Sequence, residues 1–207
     1  MNLPEKIRTI DDFKEVSLVI KKSNFIAQIY PVLSEKVFKE ILTKAKKKYF
    51  NASHHCYAYK LTDDSVRYSD AGEPNGTAGL RILNAIEHFN LSNQLIIVSR
   101  IFGGTKLGIG PLGKAYYESA SKVIVESEIK TKQLFVKATI SASFDQINSI
   151  HKILSTSKSI ITETTYLESV QLGCLLKSSE MDLFSKKISE MGKGSISITL
   201  SDETVYR

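Results

Sequence analysis

Hydrophobic and polar positions along the chain fall into two successive patterns. From Val16 to Leu33, VSLVIKKSNFIAQIYPVL, two β-branched, partly alternating runs are split by KKSN, which predicts a pair of strands. Ser34 then stands as an N-cap for a helix over Glu35 to Tyr49, where Val37, Phe38, Ile41, Leu42 and Ala45 recur at helical spacing. HHCYAYKL, His54 to Leu61, alternates like a strand, and Asp63 and Asp64 make a turn. Leu80, Leu83, Ile86 and Phe89 mark a second helix. QLIIVSRIF, Gln94 to Phe102, is continuously apolar enough to be a buried strand, and a third helix is completed over Ala115 to Glu126.

Residues 134–207 repeat none of this. LFVKATISA reads as a strand, FDQINSIHKILST as a helix, SIITETTYLES and VQLGCLLKS as two strands, SEMDLFSKKISEM as a helix and SISITLSD as a last strand. That order, β-α-β-β-α-β, is the split arrangement of ferredoxin-like domains, with Asp145 and Ser179 placed as N-caps and Gly192 and Gly194 just past the second helix. The fold class expected is therefore α+β in two domains, residues 1–130 and 131–207, with the boundary near Ser127 to Lys132.

One stretch resists a packing explanation. RYSDAGEPNGTAG, Arg67 to Gly79, crowds acids, small residues, a proline and three glycines between two periodic segments, whereas a plain connection needs one or two turn residues. It reads as a binding loop. Its two carboxylates also have a structural reading, in which Asp70 caps the turn and Glu73 neutralises the N-terminus of the coming helix.

Charge adds a direction to this picture. The 28 Lys and Arg against 22 Asp and Glu give a formal +6, and the excess is uneven: 19 minus 14, or +5, for residues 1–130, and 9 minus 8, or +1, for residues 131–207. Lys44, Lys46, Lys47 and Lys48 crowd one predicted helix end, where they suit the helix dipole or form a patch for a polyanion. Cys56 and Cys174 are the two cysteines, far apart in sequence, so neither a disulfide framework nor a multi-cysteine zinc site is suggested. No apolar run approaches the roughly 20 residues of a membrane span, and MNLPEKIRTIDDF lacks a signal-peptide core, so a cytoplasmic protein away from membranes is expected.

Three clusters in the first domain, NASHHCYAY, SDAGEPNGTAG and RIFGGTKLGIGPLGKAY, together with KKSNF at Lys21 to Phe25, resemble the IMPACT/YigZ family over nearly the whole chain. Local departures are Ala71, where many relatives have a second Asp, Ile101, where an aromatic residue is usual, and Pro111, where LGxGGL carries Gly. The resemblance implies an N-terminal domain related to the second domain of a small-subunit ribosomal protein, to GHMP kinases and to domain IV of elongation factor G. It implies a ferredoxin-like C-terminal domain similar to domain V of that factor. Eukaryotic members of the family act as translation regulators, and bacterial members resemble nucleic-acid or ribosome binders. No catalytic residue is carried over by the resemblance.

The residues themselves offer three chemistries. Arg100, Gly103, Gly104, Lys106, Gly108, Gly110 and Lys114 have the makings of an anion cradle, with close backbone approach at the glycines and a helix starting near Pro111. The same string serves equally as a structural strand-to-helix turn, and its match to GxGxxG lacks the context of a dinucleotide site. His54 and Cys56 would share one strand face with His55 on the other, offering an activated thiol or a metal ligand pair near Asp70 or Glu73, or simply a satisfied core. Tyr57, Tyr59 and Tyr68 stack bases or pack as half-buried strand tyrosines.

The leading expectation is a translation-related protein that contacts RNA, the ribosome or a translation-factor partner through this glycine-rich basic surface. Its rivals are an enzyme acting on a small phosphorylated or nucleotide substrate, with His54, His55, Cys56, Asp70 and Glu73 as the candidate catalytic residues, and a protein-interaction module without nucleic acid. No cofactor and no metal are specified, and oligomeric state is left open. All three require His54–Cys56, Asp70–Gly79 and Gly103–Lys114 to meet in one exposed recess.

Overall fold

The computed structural model describes residues 3–192 and 195–207. Along the chain its elements are β1 (Lys6–Thr9), β2 (Lys14–Ile20), β3 (Ser23–Pro31), α1 (Glu35–Lys48), β4 (His54–Lys60), β5 (Val66–Ser69), α2 (Gly79–His88), β6 (Gln94–Ile101), α3 (Ile109–Val125), β7 (Lys130–Ala142), α4 (Ile147–Thr156), β8 (Ile160–Tyr166), β9 (Val170–Lys177), α5 (Met181–Gly192) and β10 (Ser197–Tyr206). They form two compact units, Ile7–Thr131 and Lys132–Arg207, the latter joined by the N-terminal stretch through Lys6.

In the first unit β6 is central because both of its faces are apolar. Leu95 and Ile97 join Phe38 and Ala45 of α1 in one core, whereas Ile96 and Val98 join the buried faces of α2 and α3 in another. The sheet between these layers is antiparallel throughout, in the order β2-β3-β6-β4-β5. Alternation along a strand therefore sorts every residue of β3, β4 and β6 to the α1 side or the α2/α3 side.

The helices begin where local chemistry permits. Ser34 caps α1, its hydroxyl accepting from the Val37 N–H at 3.4 Å, and Lys46, Lys47 and Lys48 fill the last turn, complementing the dipole. Helix α3 starts at Ile109, close to the expected start near Pro111 and ahead of the Ala115–Glu126 stretch that completes it. Gly108, at φ 84°, turns the chain into it, and Pro111 is tolerated because the first turn of a helix leaves its N–H groups unpaired anyway. Strands β1 and β5 escape the sequence pattern, being four residues each. The loop expected from Arg67 accordingly begins only at Asp70.

The second unit has the strand order β8-β9-β7-β10, antiparallel at each pairing, with β1 adding a fifth strand beside β7. Helices α4 and α5 bury Ile150, Leu154, Phe184 and Ile188 against Ile140, Leu172 and Cys174, so this is the ferredoxin-like arrangement. The N-terminal stretch is tied in by Leu134 N–H to the Glu5 carbonyl at 2.8 Å and by the Tyr206 hydroxyl to the Pro4 carbonyl at 2.7 Å. Asp145 does not cap α4. It lies inside a 3-10 turn, Phe144–Gln146, that leads into the helix, and Ser179 lies in the corresponding turn, Ser178–Glu180, before α5. Gly192 is the last residue of α5, and Gly194 lies outside the described residues.

Two glycines mark where backbones touch. A Cβ on Gly79 would lie 2.6 Å from the Ser69 backbone, and one on Gly103 would lie 2.1 Å from the Lys22 carbonyl. Neither neighbour is a flexible side-chain tip. Gly79→Ala and Gly103→Ala are each expected to destabilise the protein by about 1–3 kcal/mol in chemical denaturation. Gly104→Ala, strained only by its positive φ, should cost about 1 kcal/mol. A Gly103→Ala protein with an unchanged midpoint would contradict the close approach.

Candidate functional site

The register of the central sheet assembles the site. Arg100 on β6 lies opposite Phe25 on β3 and His54 on β4, and Cys56 lies opposite Val98, so all four side chains are directed to the α2/α3 side. Against this row the chain from Asp70 to Ala78 folds as a self-bonded loop. The Asp70 carboxylate accepts from the N–H groups of Gly76 at 2.9 Å and of Ala78 and Gly79 at 2.8 Å, satisfying the start of α2. The Thr77 hydroxyl donates to the Pro74 carbonyl at 2.6 Å. Asp70 thus takes the capping role that its sequence position allowed.

Glu73 instead turns inward. Its Oε1 accepts from Arg100 Nη1 at 2.7 Å and from the Tyr116 hydroxyl of α3 at 2.8 Å, with the three side chains buried. The guanidinium is further held over the rings of Phe25 and Phe102, 5.4 Å from each centroid, and its Nη2 is 3.5 Å from the Ser23 hydroxyl oxygen. That same oxygen accepts the Gly103 N–H at 3.2 Å. Among the described residues Arg100 Nε has no hydrogen-bond partner.

Cys56 completes the row. Its fully buried thiol has two acceptors in reach, the Asp70 carbonyl at 3.0 Å and the Tyr116 hydroxyl at 3.3 Å. Burial pushes the thiol up to about 12, so it is protonated at neutral pH and is no activated nucleophile. Burial also raises Tyr116, which keeps its hydroxyl proton for Glu73. His54 is the one part-exposed member: its Nδ1 lies 2.9 Å from the Ala71 carbonyl and, since a carbonyl only accepts, carries the hydrogen, leaving Nε2 3.9 Å from Glu73 Oε2.

The remaining candidates divide between faces and loop. His55 points to the α1 side, its Nδ1 2.8 Å from the Ser99 hydroxyl, and burial followed by the charge of Lys46 lowers its pKa. Tyr57 and Tyr59 pack on Phe38 at 4.8 and 5.0 Å, while Tyr68 is exposed on β5. Gly104, Gly108 and Gly110 line an open segment in which a Cβ would meet no described atom within 4 Å. Lys106 and Lys114 are exposed there, the latter 3.7 Å from Glu118 one helical turn on.

The three motifs therefore do meet at one end of the sheet, but the joint exposed recess that every reading from sequence required is not formed, and only the outer glycine segment remains open to a ligand. Arg100, Glu73 and Cys56 are sealed behind the surface, and what faces solvent is the glycine loop with its lysines. Tyr116, Ser23 and Phe102 were not singled out from sequence for this role. A helical tyrosine at apolar spacing reads as core, and only its length lets the hydroxyl reach Glu73. Among the described residues no group of three or more His, Cys, Asp or Glu is placed to hold a metal, and no helix is long and apolar enough to cross a membrane.

Comparison with known proteins agrees with this architecture. Residues 21–124 match the family model described as Impact N-terminal domain. The chain is similar to IMPACT family member YvyE of Bacillus subtilis, 32% identical over 90% of this chain and 87% of that protein. It is likewise similar to IMPACT family member YigZ of Escherichia coli, 28% identical over 89% of this chain and 92% of that protein. A solved structure titled as the crystal structure of an hypothetical protein superposes with a TM-score of 0.68 at 27% identity, covering 97% of this chain and 100% of that one.

Two outcomes follow from the buried row. Glu73→Gln leaves the Arg100 charge buried without its counter-ion and is expected to destabilise the protein by about 3–5 kcal/mol in urea unfolding. Cys56 should resist alkylation in the native protein at pH 8 and react on unfolding. Rapid native labelling of Cys56 would contradict its burial and its raised pKa.

Proposed function

We propose that this chain, which belongs to the IMPACT family, is a translation-related binding protein that takes up RNA on the exposed glycine-rich, basic end of its first unit. The observation that carries this reading is the entry into α3. Gly104 and Gly108 hold positive φ, the Cβ positions of Gly104, Gly108 and Gly110 are open, and the N-terminus of the helix has no side-chain cap among the described residues. A backbone so bare lets a phosphate approach the N–H groups closely.

Charge supports the same end. Lys106 and Lys114 flank the loop, and the turn between β2 and β3 presents exposed Lys21 and Lys22 against Gly103. The family resemblance supplies the translation setting. An enzymatic reading through Glu73 and Cys56 is disfavoured by their burial and mutual hydrogen bonding, because a general base must reach its substrate proton and a nucleophilic thiol must ionise.

Equilibrium titration with RNA across a salt series tests the proposal. Log affinity should fall linearly with log salt, and Lys106→Ala/Lys114→Ala should weaken binding at every sequence while reducing the slope by about 2. Absence of RNA binding at low ionic strength, or a double variant that binds with the same slope, would overturn it.

A further inference from the structure

We infer that the second unit carries a site for a small organic cation, an alkylammonium or alkylguanidinium, in a cleft on the helix-free face of its sheet, with Glu163 as the anionic partner. The site is separate from the RNA reading above and does not rest on it.

Strand alternation fixes the face. Ala138, Ile140 and Ala142 of β7 and Leu172, Cys174 and Leu176 of β9 share a core with α4 and α5. Lys137, Thr139, Gly173 and Leu175 are therefore turned the other way. The register sets Thr139 opposite Gly173 and Lys137 opposite Leu175, and a cavity of about 450 Å³ opens over these four residues. That volume falls within the range of about 300–1,000 Å³ usual for small-molecule sites.

Two strand irregularities wall the cleft. Strand β8 inserts Thr162 between Ile161, which lies opposite Cys174, and Glu163, which lies opposite Gly173. Strand β10 places Ser201–Glu203 between Leu200, opposite Ala138, and Thr204, opposite Val136, so that stretch faces Lys137 alone. Bulges re-aim side chains. The first brings Thr162 and Glu163 together over Gly173: a Cβ there would stand 2.7 Å from Glu163 Cγ and 3.0 Å from both Glu163 Oε1 and Thr162 Oγ1. The second carries Ser201 and Glu203 to the cleft, where Glu203 takes Lys137. Bulges on outer strands also discourage pairing with another chain. That purpose does not explain why both fall at one level of the sheet, beside the single glycine of β9.

Charge selects the ligand. Lys137 and Glu203 neutralise each other, whereas the Glu163 carboxylate has no ion-pair or hydrogen-bond partner among the described residues. The cleft thus holds one uncompensated negative charge. An ammonium or guanidinium pairs with Glu163 and has N–H groups left to donate to the Thr139 and Thr162 hydroxyls. Its methylene groups meet Leu175, which is buried. An anion would be repelled by Glu163, and a neutral molecule would leave the carboxylate unpaired.

The test is an amide chemical-shift titration of the full chain at low ionic strength with butylammonium, butylguanidinium and 1,4-diammoniobutane, beside butyrate and 1-butanol. At least one of the cations is expected to move the Thr139, Glu163 and Gly173 amides to saturation, with a Kd in the millimolar range, while butyrate and 1-butanol leave them in place. Glu163→Gln should raise that Kd about 10-fold, and Asp182→Asn, an exposed carboxylate of α5, should leave it unchanged. Glu163 is exposed, so its variant is compatible with folding, which circular dichroism checks. The inference is overturned if none of the three cations gives a saturable shift at these amides, or if butyrate or 1-butanol shifts them equally. A Glu163→Gln protein that titrates like wild type overturns it as well.

Discussion

The Arg100–Glu73 ion pair is the contact on which this end of the protein depends. Each charge is buried, and removing a charge from water costs several kcal/mol, so the pair persists only because its surroundings complete it. The 2.7 Å contact, the Tyr116 hydroxyl and the two phenyl rings do so. Through these partners one interaction fastens the Asp70–Ala78 loop, β6 and α3. The Ser23 hydroxyl, within 3.5 Å of the guanidinium, extends the fastening to Gly103 and the turn beyond β2.

A consequence is a division of labour between inner and outer residues. Titratable groups that look reactive in sequence, Cys56 and Glu73 above all, are used up in holding loops in place. The thiol stays protonated and the carboxylate is shared between two donors. Outside them lies backbone that is bare at Gly104, Gly108 and Gly110, with lysines at its margins. Bare backbone with lysines at its margins lets a phosphate approach closely, which is why the proposed function is binding.

Legibility in the sequence followed the range of the forces involved. The strand and helix order of residues 134–207 was readable because hydrophobic periodicity is local, and the α+β class followed from it. The split of His54 and Cys56 from His55 was readable from strand alternation alone. What could not be read was direction at longer range: Arg100 looked like a phosphate ligand, yet the sheet register sets it facing the helix layer, opposite His54 and Phe25. Glu73 likewise had two open readings, helix-end neutraliser or ligand, and neither pointed to Arg100, the partner 27 residues away on β6 that its carboxylate meets. The start of α3 was read to within about two residues, near Pro111 against Ile109, and the positive φ of Gly108 sets the boundary. Short β1 and β5 carry too few residues for a period to declare itself.

The central claim is that the ligand lies on the outer shell of this end of the first unit and leaves the inner row intact. Amide chemical-shift mapping of the full chain during titration with a single-stranded oligoribonucleotide tests it most directly. The account predicts shifts concentrated at Lys21, Lys22 and Phe102–Lys114, with residues of α4, α5 and β8 unmoved. Shifts confined to the second unit, or a titration that moves nothing at low salt, would contradict it.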